Sequence, residues 1–220
     1  MDRDLREQAC WLLLAFESGL TTRTINDVLI VWCKQLGRTL QDFFAADARV
    51  WAEVCQLPDK YIQRLELARE KLAGQVSIAG QLQQERIAML TVLDPDYPRQ
   101  LKILLGRSHL PPVLFILGDL AILRRQTIAV IGSRNASEVS LAFTTSVTEY
   151  LSTQGVNVIS GHARGVDRAA FDAVNNTNGY TTVILPHGIR KLSKTQLQQI
   201  QPRIQSGHAL LLSQFHPDAP

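Results

Sequence analysis

Thiols are scarce in this chain of 220 residues: only Cys10, Cys33 and Cys55 are present. They sit in helical patterns with no CxxC and no histidine at ligand spacing, which excludes a disulfide scaffold and a zinc site of that kind. Reduced core thiols are expected. The apolar run ACWLLLAF is too short to cross a bilayer, so a soluble, cytoplasmic protein with no membrane partner is expected. No repeat, low-complexity tract or coiled coil interrupts the pattern. Aromatic residues make up only 6% of the chain. Those beyond residue 110 (Phe115, Phe143, Tyr150, Phe171, Tyr180 and Phe215) fall mostly in expected helices or strands, so little surface for stacking against bases is expected.

What is present is a sizeable core. Hydrophobic residues make up 45% of the chain, and the formal net charge is only +3, which excludes a disordered chain. The charge is unevenly placed. Residues 1–80 carry 10 basic and 11 acidic side chains, whereas 97–137 carry 6 against 1 and 160–203 carry 6 against 2.

From Leu5 to Leu72 apolar residues recur at helical spacing, as in Ile25, Val28, Leu29 and Trp32, or Ile62, Leu65, Ala68 and Leu72. Thr21 or Thr22 can cap one helix, Gly37 can end it, and Pro58 can open another. A helical domain of four or five helices is expected at 1–80, and GQVSIAGQLQQE reads as a polar connector. After Arg86 the pattern changes to short runs. IAMLTVL reads as a strand, DPDYP as a tight turn and PVLFILGD as an extended segment. TIAVI, VNVIS, TTVIL and ALLLS are then apolar on both faces and separated by lengths that fit helices. That alternation predicts an α/β domain at 88–220 with a parallel sheet and helices on both faces.

Ligands of such sheets bind where loops leave the carboxyl ends of strands. Two loops there are unusual: Gly132-Ser133-Arg134-Asn135-Ala136-Ser137, and Ser160-Gly161-His162-Ala163-Arg164-Gly165-Val166-Asp167. Glycine admits close backbone approach, hydroxyls and amides donate, and arginine offers a fork that matches phosphate oxygens. Each loop runs into a helix amino terminus, a further attraction for an anion. Neither a dinucleotide GxGxxG nor a GxxxxGK[ST] loop is present. No motif calls for a metal or cofactor. His162 and His187 lie on loop tips without a carboxylate or nucleophile at short range, so general-base catalysis is not expected.

AVIGSRNAS and VISGHARGVDRAA, preceded by LDPDYPRQL and PPVLFILGDLAIL, resemble the DNA-processing protein A (DprA/Smf) family in order and spacing. The resemblance implies a Rossmann-like domain preceded by a small all-helical (SAM-like) domain. It implies binding of single-stranded DNA, protection of incoming DNA and its transfer to the RecA recombinase in natural transformation, with no covalent chemistry; it leaves a homodimer open. Matched by position, the implied DNA- or phosphate-binding residues are Gly132, Ser133, Arg134, Ser137, Ser160, Gly161, Arg164 and Gly165, with Lys191 added from the next loop. Asp167, being acidic, is expected to cap its helix or orient Arg164, and Ser137 also to cap. The chain reads LPHGIRKLSK where the family has a GLDxxYP-like segment, and SGLTTRTIND where relatives have a glycine-rich hairpin, so no DNA site is expected in the helical domain. SQFHPDAP resembles the stretch before a basic segment and further strands, so a fragment or a shortened relative is expected. Two other readings are a phosphoribohydrolase-like enzyme acting on nucleoside monophosphates, whose PGGxGT has only LPHGI as counterpart, and an interaction module that keeps the fold alone.

Overall fold

The structure, a computed structural model, describes residues 4–220; residues 1–3 of the expected helical domain lie outside the described residues. The chain forms two compact units, Met1–Val113 and Leu114–Pro220.

The first unit begins with α1 (Leu5–Leu12) and α2 (Thr22–Val28), each continuing into a wider π-helical turn, at Leu13–Glu17 and Leu29–Gln35. Then follow α3 (Leu40–Ala45), α4 (Ala48–Cys55), α5 (Asp59–Arg69) and α6 (Leu72–Gln84). Side-chain oxygens satisfy the free amides at several helix starts. Thr21 accepts from the Thr24 N–H, and Thr39 and Asp42 form a capping box. The Glu7 carboxylate on α1 accepts from the Leu40 and Gln41 amides at 3.0 and 2.9 Å, which ties the start of α3 to α1. Phe43 lies between Trp32 and Trp51, with ring centroids at 5.3 and 5.4 Å. Each indole reaches a carbonyl, Trp32 that of Thr39 and Trp51 that of Phe43. Burial pushes the Cys10 thiol up to about 12 and that of Cys55 to about 11.

The segment read as a polar connector is helix α6, which raises the helix count above the expected four or five. Leu72, Gln75, Val76, Ala79 and Leu82 form its covered stripe, and α6 packs along α1. Small and polar residues hid an amphipathic helix because glutamines fill its outer face. The unit ends with β1 (Ala88–Thr91) and α7 (Arg99–Leu104). Between them the Asp94 carboxylate accepts from the Thr91 N–H and hydroxyl, closing the turn expected at DPDYP.

The second unit contains β2 (Val113–Gly118), a 3₁₀ turn at Leu120–Arg124, β3 (Thr127–Ala129), α8 (Glu138–Thr153), β4 (Asn157–Ser160), α9 (Val166–Asn176), β5 (Tyr180–Ile184), a 3₁₀ turn at Ile189–Lys191, α10 (Lys194–Gln205) and β6 (Ala209–Ser213). Its strands run in the order β2-β6-β5-β4-β3. β3 to β6 are mutually parallel, with Ile128 beside Val158, Ile159 beside Thr182 and Val183 beside Leu211. This is the expected α/β sheet with flanking helices. One strand departs from the parallel arrangement: β2 runs antiparallel to β6, with Ile116 beside Leu212. Direction is invisible in the pattern because a strand covered on both faces is uniformly apolar either way. The core also holds a polar pair, Asn157 and Thr182, bonded across β4 and β5.

Trp51→Ala removes both the ring from the aromatic cluster and its bond to Phe43. We expect it to cost about 3–5 kcal/mol in urea unfolding followed by far-UV circular dichroism.

Candidate nucleic-acid interface

The two arginine-bearing loops leave the carboxyl ends of the neighbouring strands β3 and β4, and they are joined at several points. Val130 continues the pairing by donating its N–H to the Ile159 carbonyl at 2.9 Å. Beyond it, the Asp167 carboxylate accepts from the Gly161 N–H at 2.9 Å and from the Gly132 N–H at 3.3 Å, one oxygen to each loop. The Val166 N–H donates to the Ser133 carbonyl at 3.2 Å. Arg164 reaches the first loop, donating from Nε to the Arg134 carbonyl at 3.3 Å and from Nη2 to the Asn135 side-chain oxygen.

Packing this close explains two glycines. A Cβ on Gly132 would lie 2.8 Å from a methyl of Val166. Gly165 has φ +92 and would drive a Cβ into the backbone of Ser133 and Arg134, so it is both conformationally and sterically restricted to glycine.

Asp167 does not take the capping position expected of it. Gly165 precedes α9 and no side chain caps that helix; the carboxylate turns back to the two loop amides instead. Ser137 does cap α8, accepting from the Ser140 N–H at 3.2 Å. The remaining hydroxyls are used locally. Ser133 accepts from the Asn135 N–H, and Ser160 accepts from the His162 N–H while donating to the Asp167 carbonyl.

The structure thus brings together Gly132, Ser133, Arg134, Ser160, Gly161, Arg164, Gly165 and Asp167. Lys191 stands apart, exposed on the turn after β5, and among the described residues no hydrogen bond or ion pair joins it to the two loops. Its turn is held by the residues that follow β6: Gly188 donates to the Ala219 carbonyl, Arg190 to that of Pro217, and the Arg190 guanidinium pairs with Asp218 at 3.3 Å. Nothing in the sequence pattern marked that clasp.

His162 has left-handed backbone, φ +56, and a buried ring set edge-on to Phe171 at 4.5 Å. Its Nε2 lies 3.5 Å from an Arg168 nitrogen, and Arg168 is paired with Asp172. Burial first and the Arg168 charge second lower the His162 pKa, against a smaller opposing pull from Asp172 and Asp167.

A mostly parallel sheet with two cross-braced, arginine-bearing loops at adjacent strand ends is a Rossmann-like α/β arrangement. Residues 88–220 match the model of the family described as DNA recombination-mediator protein A, and the chain belongs to that family. Protein Smf of Synechocystis sp. is 27% identical over 213 residues, which cover 95% of this chain and 51% of that protein. DNA processing protein DprA of Streptococcus pneumoniae is 29% identical over 133 residues, covering 60% of this chain and 45% of that one. The chain thus spans about half the length of these curated relatives. The X-ray structure of DNA processing protein A from S. pneumoniae shares the fold, with a TM-score of 0.74 at 21% identity over 100% of this chain and 70% of that one. Among the described residues, no helix is long and apolar enough to cross a membrane.

Asp167→Ala would strand two part-buried amides and unlink the loops. We expect a loss of about 1–3 kcal/mol and faster hydrogen exchange at Gly132 and Gly161, read by NMR. A second expectation concerns pH. Because the folded-state pKa of His162 lies below its unfolded value of about 6.5, the unfolded chain binds the proton more readily, and stability contributed by neutral His162 falls as pH drops below that value. His162→Asn, which tolerates the left-handed backbone, should flatten that acid slope in denaturation measured from pH 7.5 down to about 5.

Proposed function

We propose that this chain binds the backbone of single-stranded DNA at the loops after β3 and β4, as a non-enzymatic protein of the DprA/Smf type. In this reading, residues 88–220 form the binding domain and the helical 1–80 segment carries no DNA site. The protein works in the cytoplasm, protects incoming strands and hands them to RecA in natural transformation. Family membership and the relatives named DNA processing protein support the reading.

The observation that carries it is the bracing of the two loops by Asp167 and Arg164. Among the described residues, no hydrogen bond occupies the backbone N–H groups of Ser133, Arg134, Ala163, Arg164 or Gly165, and the Arg134 side chain is exposed. Free amides beside the start of α9 and a free guanidinium suit phosphate oxygens. Gly132, Gly161, Ser160 and Gly165 hold the loops in shape, Ser133 and Ser137 start their local turns, and Lys191 adds charge from the next strand end. Buried Asp167, already shared between two amides, keeps its negative charge occupied.

Arg134→Ala should weaken binding of a fluorescent single-stranded oligonucleotide by about 1–3 kcal/mol. The log–log salt slope should also fall by about 0.7, one phosphate contact on a single strand. Anisotropy titrations at several salt concentrations measure both, and an unchanged slope would take Arg134 out of the site.

A further inference from the structure

We propose that His162 is a further binding residue of the second arginine-bearing loop: its ring is held inside the domain when neutral and swings out to a DNA phosphate when protonated, so that binding a strand takes up a proton. The proposal rests on the reading of the two loops as a DNA site.

The inward position is unfavourable on three counts. His162 has φ +56, a left-handed backbone that a residue with a Cβ adopts only at a cost. The residue is only 8% exposed, and its Nδ1 is buried with no hydrogen-bond partner among the described residues. The other nitrogen, Nε2, faces a cation, since a nitrogen of the Arg168 guanidinium lies 3.5 Å away. Against these stand the edge-on contact with Phe171 at 4.5 Å and the bond from the His162 N–H to the Ser160 hydroxyl. A buried polar atom left without a partner calls for an explanation.

A neutral imidazole tolerates this pocket, because Nε2 can accept from Arg168 and only Nδ1 goes unanswered. An imidazolium does not. It must donate from both nitrogens, and the pocket offers one of them nothing and the other a positive charge. Among the described residues, the charged groups that act on the ring are Arg168, Asp172 and Asp167, all on α9. Both carboxylates are already engaged. Asp172 accepts from the Arg168 Nε at 2.9 and 3.0 Å, and Asp167 accepts from the Gly132 and Gly161 amides. From α10 the uncharged Gln199 accepts from Arg168 at 2.7 Å and keeps the guanidinium beside the ring. Protonation therefore expels the ring, in agreement with a His162 pKa lowered first by burial and then by Arg168.

Outside, the ring meets the opposite conditions. His162 directly precedes Ala163 and Arg164, whose backbone N–H groups carry no hydrogen bond among the described residues, and a phosphate held there favours the imidazolium. DNA thus stabilises the outward, protonated ring, and by linkage the proton stabilises the complex. Histidine is the side chain for which this exchange falls near neutral pH. The free protein titrates at His162 below about 6.5 and the complex above the free value, so affinity rises as pH falls between the two.

The full chain and His162→Asn, which tolerates the left-handed backbone, are titrated with oligothymidylate by calorimetry in buffers of different ionisation enthalpy. Near pH 6 the wild type should take up more protons than the variant, by up to about one per site. Lowering the pH from about 7.5 to about 5.5 should tighten wild-type binding up to about tenfold more than it tightens that of His162→Asn, in which the other four histidines remain. In NMR spectra at about pH 6, added DNA should remove from the His162 ring signals the shift that Phe171 imposes. An equal pH response in the two proteins, or a ring that stays on Phe171 in the complex, overturns the proposal and leaves the site standing. No binding at either pH overturns the reading of the loops and the proposal together.

Discussion

The Asp167 carboxylate accepts one hydrogen bond from each of two loops that leave adjacent strands, and the geometry of the strand ends depends on that pair of bonds. Each loop taken alone is a short polar turn with few internal bonds. Held together, they bring Ser133 against the start of α9 and Arg164 against Arg134 and Asn135. The acidic residue in a basic region thus acts as a fastener. Its charge is answered by two backbone dipoles, so it need not be answered by an arginine. That leaves the guanidinium of Arg134 free.

Residue types at single positions were legible in the sequence, but residue partners were not. The strand runs, the Thr21 and Ser137 caps and the two glycine-bearing loops each follow from local chemistry, and each lies where that chemistry put it. The role of Asp167 could not be read in the same way. Its acceptor geometry exists only after β3 and β4 have paired in register, which brings Gly132 and Gly161 to the same carboxylate. A cap was the nearest local explanation for an acid at a helix start, and the long-range bond replaced it.

The same limit accounts for β2 and α6. A buried strand has no sidedness from which its direction could be read. In α6, Gln75 is buried while glutamines elsewhere on the helix face water, so side-chain polarity was a poor guide to which face is covered. His162 marks a further limit. Its place in the sequence showed only a loop tip without a catalytic partner, whereas its left-handed backbone folds the ring onto Phe171, where burial favours the neutral imidazole.

Arg164 and Arg134 then differ in kind although both were read as equivalent forks. Arg164 has spent two of its donors on the first loop, so it is already fixed before any anion arrives and loses little freedom on binding one. Arg134 is unrestrained and, in the proposed binding mode, would be ordered by the DNA backbone. A rigid arginine contributes orientation, since its position defines where an oxygen can sit. A mobile one contributes charge that can follow an irregular backbone. A single strand of DNA lacks the fixed phosphate spacing of a duplex, and under the proposed function one anchored and one free guanidinium would suit such a flexible polyanion better than a small, rigid nucleotide.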